Sequence, residues 1–173
     1  MHLKDCISFW VPGGVEFIDF DMFDTSSYVD DSIKYDVVFS MAVIEHYPYS
    51  HRRYFENLLR LAGDGKIYVT APNIAFIHKR IELFFHGITP LADIREVYDS
   101  EVPFTGHCHE MTMSELEQLV ELCGGRVMAK SYDTNCYYGG RLTKPLFKAI
   151  QHRIPSTREC LAILFERNRN IDY

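Results

Sequence analysis

Two hydrophobic rhythms alternate along this chain, and that alternation restricts its fold more than any other feature. Residues 35–41, Tyr-Asp-Val-Val-Phe-Ser-Met, form a β-branched and aromatic run of strand length. Such a run predicts a strand buried on both faces. From residue 50 to 62 the rhythm becomes helical: Tyr54, Leu58 and Leu61 fall on one face, which Phe55 and Leu59 widen. Gly63-Asp64-Gly65 stops that helix, because glycine tolerates the left-handed backbone found beyond a helix end. Residues 66–70 then read as a second strand, broken by Pro72-Asn73.

The same reasoning covers the rest. Residues 15–20 follow the turn signal Pro12-Gly13-Gly14 and read as a short strand, with 21–34 as a polar connection. A helix is expected around 76–85, then a long excursion over 87–106 with a turn of helix. Thr112-Met113-Ser114-Glu115 matches a capping box, which starts a helix running to about residue 123. Leu116, Leu119, Val120 and Cys123 share its core face, and Gly124-Gly125 ends it. Residues 126–131 and 160–165 read as strands, with a short helix over 145–152 between them. Strands alternating with helices predict an α/β sheet carrying helices on both faces. The 173 residues suit one domain.

A hydrophobic content of 47% with 24% charged residues is that of a globular chain with a packed core. The formal net charge of −6 argues against the cationic footprint that nucleic-acid binding requires, so no nucleic-acid partner is expected. The local basic groups, Lys79-Arg80 and those between Arg141 and Arg158, read as solvated faces. Five scattered cysteines without a CxxC pair fit free thiols in a reducing compartment. No secretory leader opens the sequence, and no apolar stretch approaches the roughly 20 residues that span a bilayer. A cytoplasmic protein without a membrane partner is therefore expected.

Ligands of open α/β sheets bind beyond the carboxyl ends of the strands. Asp21, Met22 and Asp24 follow the first predicted strand; Ala42, Glu45 and His46 follow the second; Ala71, Pro72 and Asn73 follow the third. All are expected on one rim, where a nucleoside-like ligand would lie.

The segments "VEFIDFDMFD", "YDVVFSMAVIEHYP", "LLRLAGDGKIYVTAPN" and "GHCHEMTMSELEQLVELCGGRV" resemble, in order and spacing, successive motifs of the small-molecule class I S-adenosylmethionine-dependent methyltransferases. The resemblance covers roughly residues 15–130. It implies an α/β Rossmann-like methyltransferase sheet, S-adenosylmethionine as cofactor, and a small-molecule or sugar methyl acceptor, with oxygen as the methylated atom. It also implies that Asp21 accepts a hydrogen bond from the adenine amino group, with Met22 beside the ring. Ser40, Met41 and Ala42 match the backbone segment that passes under the cofactor, and Glu45-His46 the "EH" pair that closes that segment.

The glycine-rich GxGxG turn and the ribose-gripping acid of the family have no counterpart in residues 1–173. The resemblance therefore implies a single, N-terminally truncated partial domain over 1–173. The family's strand order is 3-2-1-4-5-7-6, and the first two strands would be absent here, with a partner chain as one way to complete the sheet.

His46 is a candidate general base, since imidazole titrates near working pH; the alternative is packing against, or capping, the next helix. Glu45 either orients His46 or caps that helix. His107 is a candidate substrate contact or second base. His107, Cys108, His109 and Glu110 are dense in metal-ligand types, but the spacing is not that of a zinc site, and no metal is expected. Tyr137-Tyr138-Gly139-Gly140 reads as a pocket wall or a packed loop. Two other functional readings stand beside methyl transfer. One is a degenerate, noncatalytic interaction module; the other is a metal-dependent hydrolase built on His46, His107 and His109.

Overall fold

The β-branched run becomes strand β1, Val37–Met41, and the helical stretch after it becomes α1, His51–Ala62. The structure is a computed structural model and describes residues 32–48, 50–88, 94–100, 106–134 and 143–169. The predicted strand at 15–20, the polar positions Asp21, Met22 and Asp24, and Tyr137-Tyr138 lie outside the described residues.

Ser50 caps α1, its hydroxyl accepting from the Arg52 amide at 3.4 Å. Gly63 ends the helix at φ 56°, ψ −109°, returning its amide to the Leu59 carbonyl at 2.9 Å. Strand β2, Lys66–Pro72, follows at once and pairs in parallel with β1, Val38 opposite Ile67 and Ser40 opposite Val69. The tight return brings Gly65 against β1: a Cβ there would lie 2.2 Å from the Tyr35 carbonyl oxygen and 2.7 Å from that of Asp36.

Helix α2, Ile77–His86, ends on Gly87 in the left-handed region, and α3, Ile94–Asp99, is the turn of helix expected in the excursion. Helix α4, Met113–Leu122, opens with the predicted capping box: Thr112 accepts from the Glu115 amide while the Glu115 carboxylate accepts from the Thr112 amide. Strand β3 is Gly125–Asp133, helix α5 is Lys144–Arg153, and β4 is Cys160–Arg167. The last strand inserts antiparallel between β2 and β3, giving the order β1-β2-β4-β3. That arrangement corresponds to the 4-5-7-6 half of the order implied by the sequence resemblance.

Alternation within the strands decides what is buried. Ile67, Val69 and Ala71 of β2 stand opposite Phe165, Ile163 and Leu161 of β4, and all six are buried. Tyr54, Phe55, Leu58 and Leu59 of α1 and Met113, Leu116 and Val120 of α4 join them in one core. Each buried valine, leucine, isoleucine, phenylalanine or methionine among them contributes roughly 1.5–3 kcal/mol by leaving water.

Two expectations are corrected here. Strand β1 is not buried on both faces: Val37, Phe39 and Met41 are 44%, 67% and 61% exposed, while Ser40 is buried and Val38 half-buried. The reason is that α1 covers only the Val38–Ser40 side, and β1 is the outer strand of the described sheet. Nor do the described helices cover both faces. Helices α1 and α4 pack against each other in the same core, whereas α2 buries none of its residues and leaves Leu83, Phe84 and Phe85 exposed. Cys108, Cys123 and Cys160 are free thiols, as expected. No helix among the described residues is long and apolar enough to cross a membrane.

The two glycines make a contrast that urea unfolding can measure. Gly65→Ala forces β1 away from the turn and is expected to cost about 2 kcal/mol or more, as overpacking does. Gly87→Ala, with φ 64° but open space around it, is expected to cost only about 1 kcal/mol, from the backbone alone.

Candidate functional site

Parallel pairing puts the carboxyl ends of β1 and β2 side by side, so the residues that follow them share a rim. At the end of β1 the chain turns through Ala42, which holds φ at 53° and donates its amide to the Thr70 carbonyl at 3.2 Å. Left-handed backbone costs an L-residue roughly 1–2 kcal/mol, so the turn is imposed by its surroundings. It feeds a single 3-10 turn, Ile44–His46.

A second segment is laid across this rim by main-chain bonds. The Glu45 carbonyl accepts from the Cys108 amide at 2.7 Å and the His109 amide at 3.1 Å. The Met111 carbonyl accepts from the Ile74 amide at 3.2 Å, and Asn73 and Met111 form a parallel bridge beyond β2. The consequence is that His46 and His107, distant in sequence, come together with ring centroids 4.8 Å apart and ring planes at 77°.

Each imidazole is oriented through Nδ1. His46 Nδ1 lies 3.2 Å from the Gly106 carbonyl oxygen, and His107 Nδ1 lies 2.7 Å from Glu110 Oε1. A carbonyl and a carboxylate only accept, so both rings carry hydrogen on Nδ1 and the Nε2 atoms bear the lone pairs in the neutral form. Glu110 is buried, and its other oxygen pairs with Lys79 of α2. Burial pulls the Lys79 ammonium down to about 8, against the opposing pull of the Glu159 carboxylate. Glu45 is buried to 1% exposure beneath the two histidines, and its Oε2 has no hydrogen-bond partner among the described residues.

The sequence-predicted positions divide three ways. His46 and His107 are brought together, with Glu45 as third member. Met41 and Ala42 lie at the strand end, Met41 exposed and Ala42 in the turn. Ser40 supplies backbone there, while its hydroxyl bonds the Tyr54 hydroxyl inside the core. Burial pushes the Tyr54 phenol up to about 12, with the Ser40 hydrogen bond opposing and the nearby Glu45 charge adding.

Other assignments change. Asn73 presents nothing to a ligand: it is buried, its Nδ2 donates to the carbonyls of Ser156 and Arg158 at 3.0 and 2.7 Å, and its Oδ1 accepts from the Ala75 amide at 2.9 Å. Its role is to tie the end of β2 to the turn before β4. Glu45 does not cap α1, since Ser50 does. His109 stacks edge-on against His51, centroids 4.8 Å apart, and so is not the third member of the His46–His107 pair.

From sequence Lys79 reads as part of a solvated basic pair and Glu110 as one of four residues of metal-ligand type, whereas the structure makes Glu110 the partner of both Lys79 and His107. The i,i+3 spacing of His107 and Glu110 is the sequence signal for the second contact, and the first has none. A cavity of about 830 Å³ opens between α1 and α4, lined by His51, Phe55, Leu119 and Cys123 among others, but not by His46 or His107. Burial in its wall pushes the Cys123 thiol up to about 11, against the hydrogen bonds it makes.

With this geometry in view, comparison with known proteins gives a fold. No family model matches the chain, and no curated protein matches it. Solved structures do. A chain of the complex between the Haloferax volcanii Trm112 methyltransferase activator and a methyltransferase aligns with a TM-score of 0.60 at 12% identity, over 99% of this chain and 69% of that one. PKMT2 from Rickettsia typhi, in complex with AdoHcy, aligns at 0.53 with 10% identity, over 96% of this chain and 41% of that one. The small RNA methyltransferase HEN1 aligns at 0.50 with 16% identity, over 87% of this chain and 16% of that one. The chain thus spans well under two thirds of the last two. The mixed α/β sheet matches the Rossmann-like fold of methyltransferases.

Two measurements check the site's framework. Asn73→Ala removes three buried hydrogen bonds and is expected to cost about 2–3 kcal/mol in chemical unfolding. His51 is held below its usual 6.5, chiefly by burial and then by His109, against a hydrogen bond to the Ile44 backbone. Its folded form resists protonation, so as pH falls below 6.5 the unfolded chain takes up the proton first and stability drops. Unfolding free energies measured from pH 7.5 down to 5 are expected to fall less steeply in His51→Gln than in the parent.

Proposed function

We propose that this chain forms the acceptor-side part of an S-adenosylmethionine-dependent methyltransferase that methylates an oxygen of a small molecule or sugar. One observation carries the reading: two imidazoles with defined Nδ1 partners meet at the carboxyl end of β1, in a sheet whose fold matches methyltransferases. When bound, the cofactor supplies an electrophilic methyl group on a positively charged sulfur.

The residues fit the part of the cofactor bed that they would form. Met41 offers exposed apolar surface at the strand end, and the turn at Ala42 clears the rim beside it. On this reading, Ser40, Met41 and Ala42 run beneath the cofactor, while Asp21 and Met22 meet its adenine. The acceptor lies over the histidine pair. His46 takes the hydroxyl proton as the oxygen attacks, and His107, steadied by Glu110, holds the acceptor in line. Positioning contributes most of the acceleration in such a displacement.

Strand β1, with Val37, Phe39 and Met41 exposed, is the side on which further strands would complete the sheet, from a partner chain among other sources. The same exposed row supports the second reading, a noncatalytic interaction module.

Isothermal titration with S-adenosylmethionine separates the two. Saturable heat is expected, and no heat at millimolar cofactor rejects independent methyl transfer. With an acceptor found by screening, His46→Gln is expected to lower kcat/KM by about 10²–10⁴ at unchanged cofactor affinity, the range for loss of a general base. An unchanged rate would remove His46 from the chemistry.

A further inference from the structure

We propose that Glu45, His46 and His107 form a binding site for a divalent first-row transition-metal ion. One donor atom from each lies within 4.8 Å of the others. Two imidazole nitrogens and one carboxylate are the donor set of catalytic zinc sites that keep a position open for a further ligand.

Three features make this more than a chance meeting of polar side chains. The first is Glu45. A carboxylate 1% exposed, with Oε2 lacking a hydrogen bond among the described residues, bears a desolvation penalty unless a cation or donor offsets it. Among the described residues no ion pair supplies that cation. Lys79, the nearby ammonium, is engaged with Glu110. A cation between Glu45 and the imidazoles would supply the compensation.

The second feature is the outer layer. Histidines that bind metals donate their other ring N–H to a carboxylate or a backbone carbonyl, which fixes the tautomer and aims the lone pair. His107 Nδ1 meets the Glu110 carboxylate and His46 Nδ1 meets the Gly106 carbonyl, one of each kind. With Nδ1 so engaged, Nε2 is the ring nitrogen through which each histidine would coordinate the ion.

The third is rigidity. Two of the donors are adjacent in one 3-10 turn, and the third sits on the segment that Glu45's own carbonyl anchors. The main chain therefore ties together the two segments that carry the ligands. Donors about 3.4 Å apart surround a tetrahedral ion at roughly 2.0–2.1 Å, so modest side-chain rotation closes the site.

Sequence spacing hides this arrangement. Within residues 107–110 only His107 is a ligand: Glu110 stands behind it and His109 turns to His51. Ion binding does not depend on the methyl-transfer reading. If both hold, the ion would lower the acceptor hydroxyl's pKa so that its proton passes to solvent water, and His46 would serve as a ligand in place of the base.

The test uses the full chain, stripped with a chelator and titrated with Zn²⁺ by calorimetry. One equivalent is expected to bind saturably and to raise the Tm. Glu45→Gln and His107→Asn are expected to lose at least tenfold in affinity, and Glu110→Gln about 10–100-fold through the outer layer. His109→Gln should bind like the parent.

Co²⁺ substitution reads the unaltered protein, whatever the folding of the variants. Visible d–d bands without a thiolate charge-transfer band are expected, because Cys108 is not a ligand. Absence of saturable Zn²⁺ binding overturns the proposal. So does full affinity in folded Glu45→Gln, loss of binding in folded His109→Gln, or a thiolate band. S-adenosylmethionine titration of the metal-free chain is scored separately, so failure of the metal site and failure of the methyl-transfer reading remain distinguishable.

Discussion

The carbonyl oxygen of Glu45 holds the two halves of the site together. It accepts from two successive amides, those of Cys108 and His109, and so fixes a distant segment over the end of β1. Together with the His46–Gly106 contact and the Asn73–Met111 bridge, this fork fixes His107 and Glu110 relative to His46 and so places the carboxylate that receives Lys79. A backbone acceptor with two donors is insensitive to which side chain sits above it. The same residue can therefore anchor the loop through its main chain and present its carboxylate to the histidines.

Local pattern made most of the elements legible. Apolar runs bounded by turn residues gave β1, β2, β3 and β4 to within a few residues, and the capping box at Thr112 and the glycines at 63 and 124 marked helix ends where the backbone demanded them. What the pattern could not supply was partnership. A run such as Val37-Val38-Phe39 is equally apolar in a central strand and in an outer one, because periodicity reports side-chain type and not what lies opposite. Its exposure depends on where α1 ends its cover, which is a tertiary fact.

The site shows the same division. His46 and His107 were identifiable as chemistry-bearing residues, and the rim on which they meet follows from the strand-end rule. Their contact does not follow, since it arises from main-chain bonds across a long sequence separation. Asn73 is the reverse case. Its position after β2 suggested a ligand contact, yet its amide is spent on Ser156, Arg158 and Ala75. Buried amides satisfy themselves wherever they can, and no spacing rule announces which carbonyls will be near.

The placement of β4 bears on how the molecule is made. Lys66 pairs with Glu166 and Gly125 with Arg167, so among the described strands β2 and β3 are joined only through β4, the latest of the four in sequence. During translation β2 and β3 emerge before the strand that joins them, and Ile67, Val69 and Ala71 lack their partners until Leu161, Ile163 and Phe165 leave the ribosome. Contacts spanning so much sequence close slowly, because loop entropy is spent before they form. Until β4 arrives the apolar face of β2 is therefore open to misassociation, and the two sides of the described sheet become one unit only when β4 docks between them.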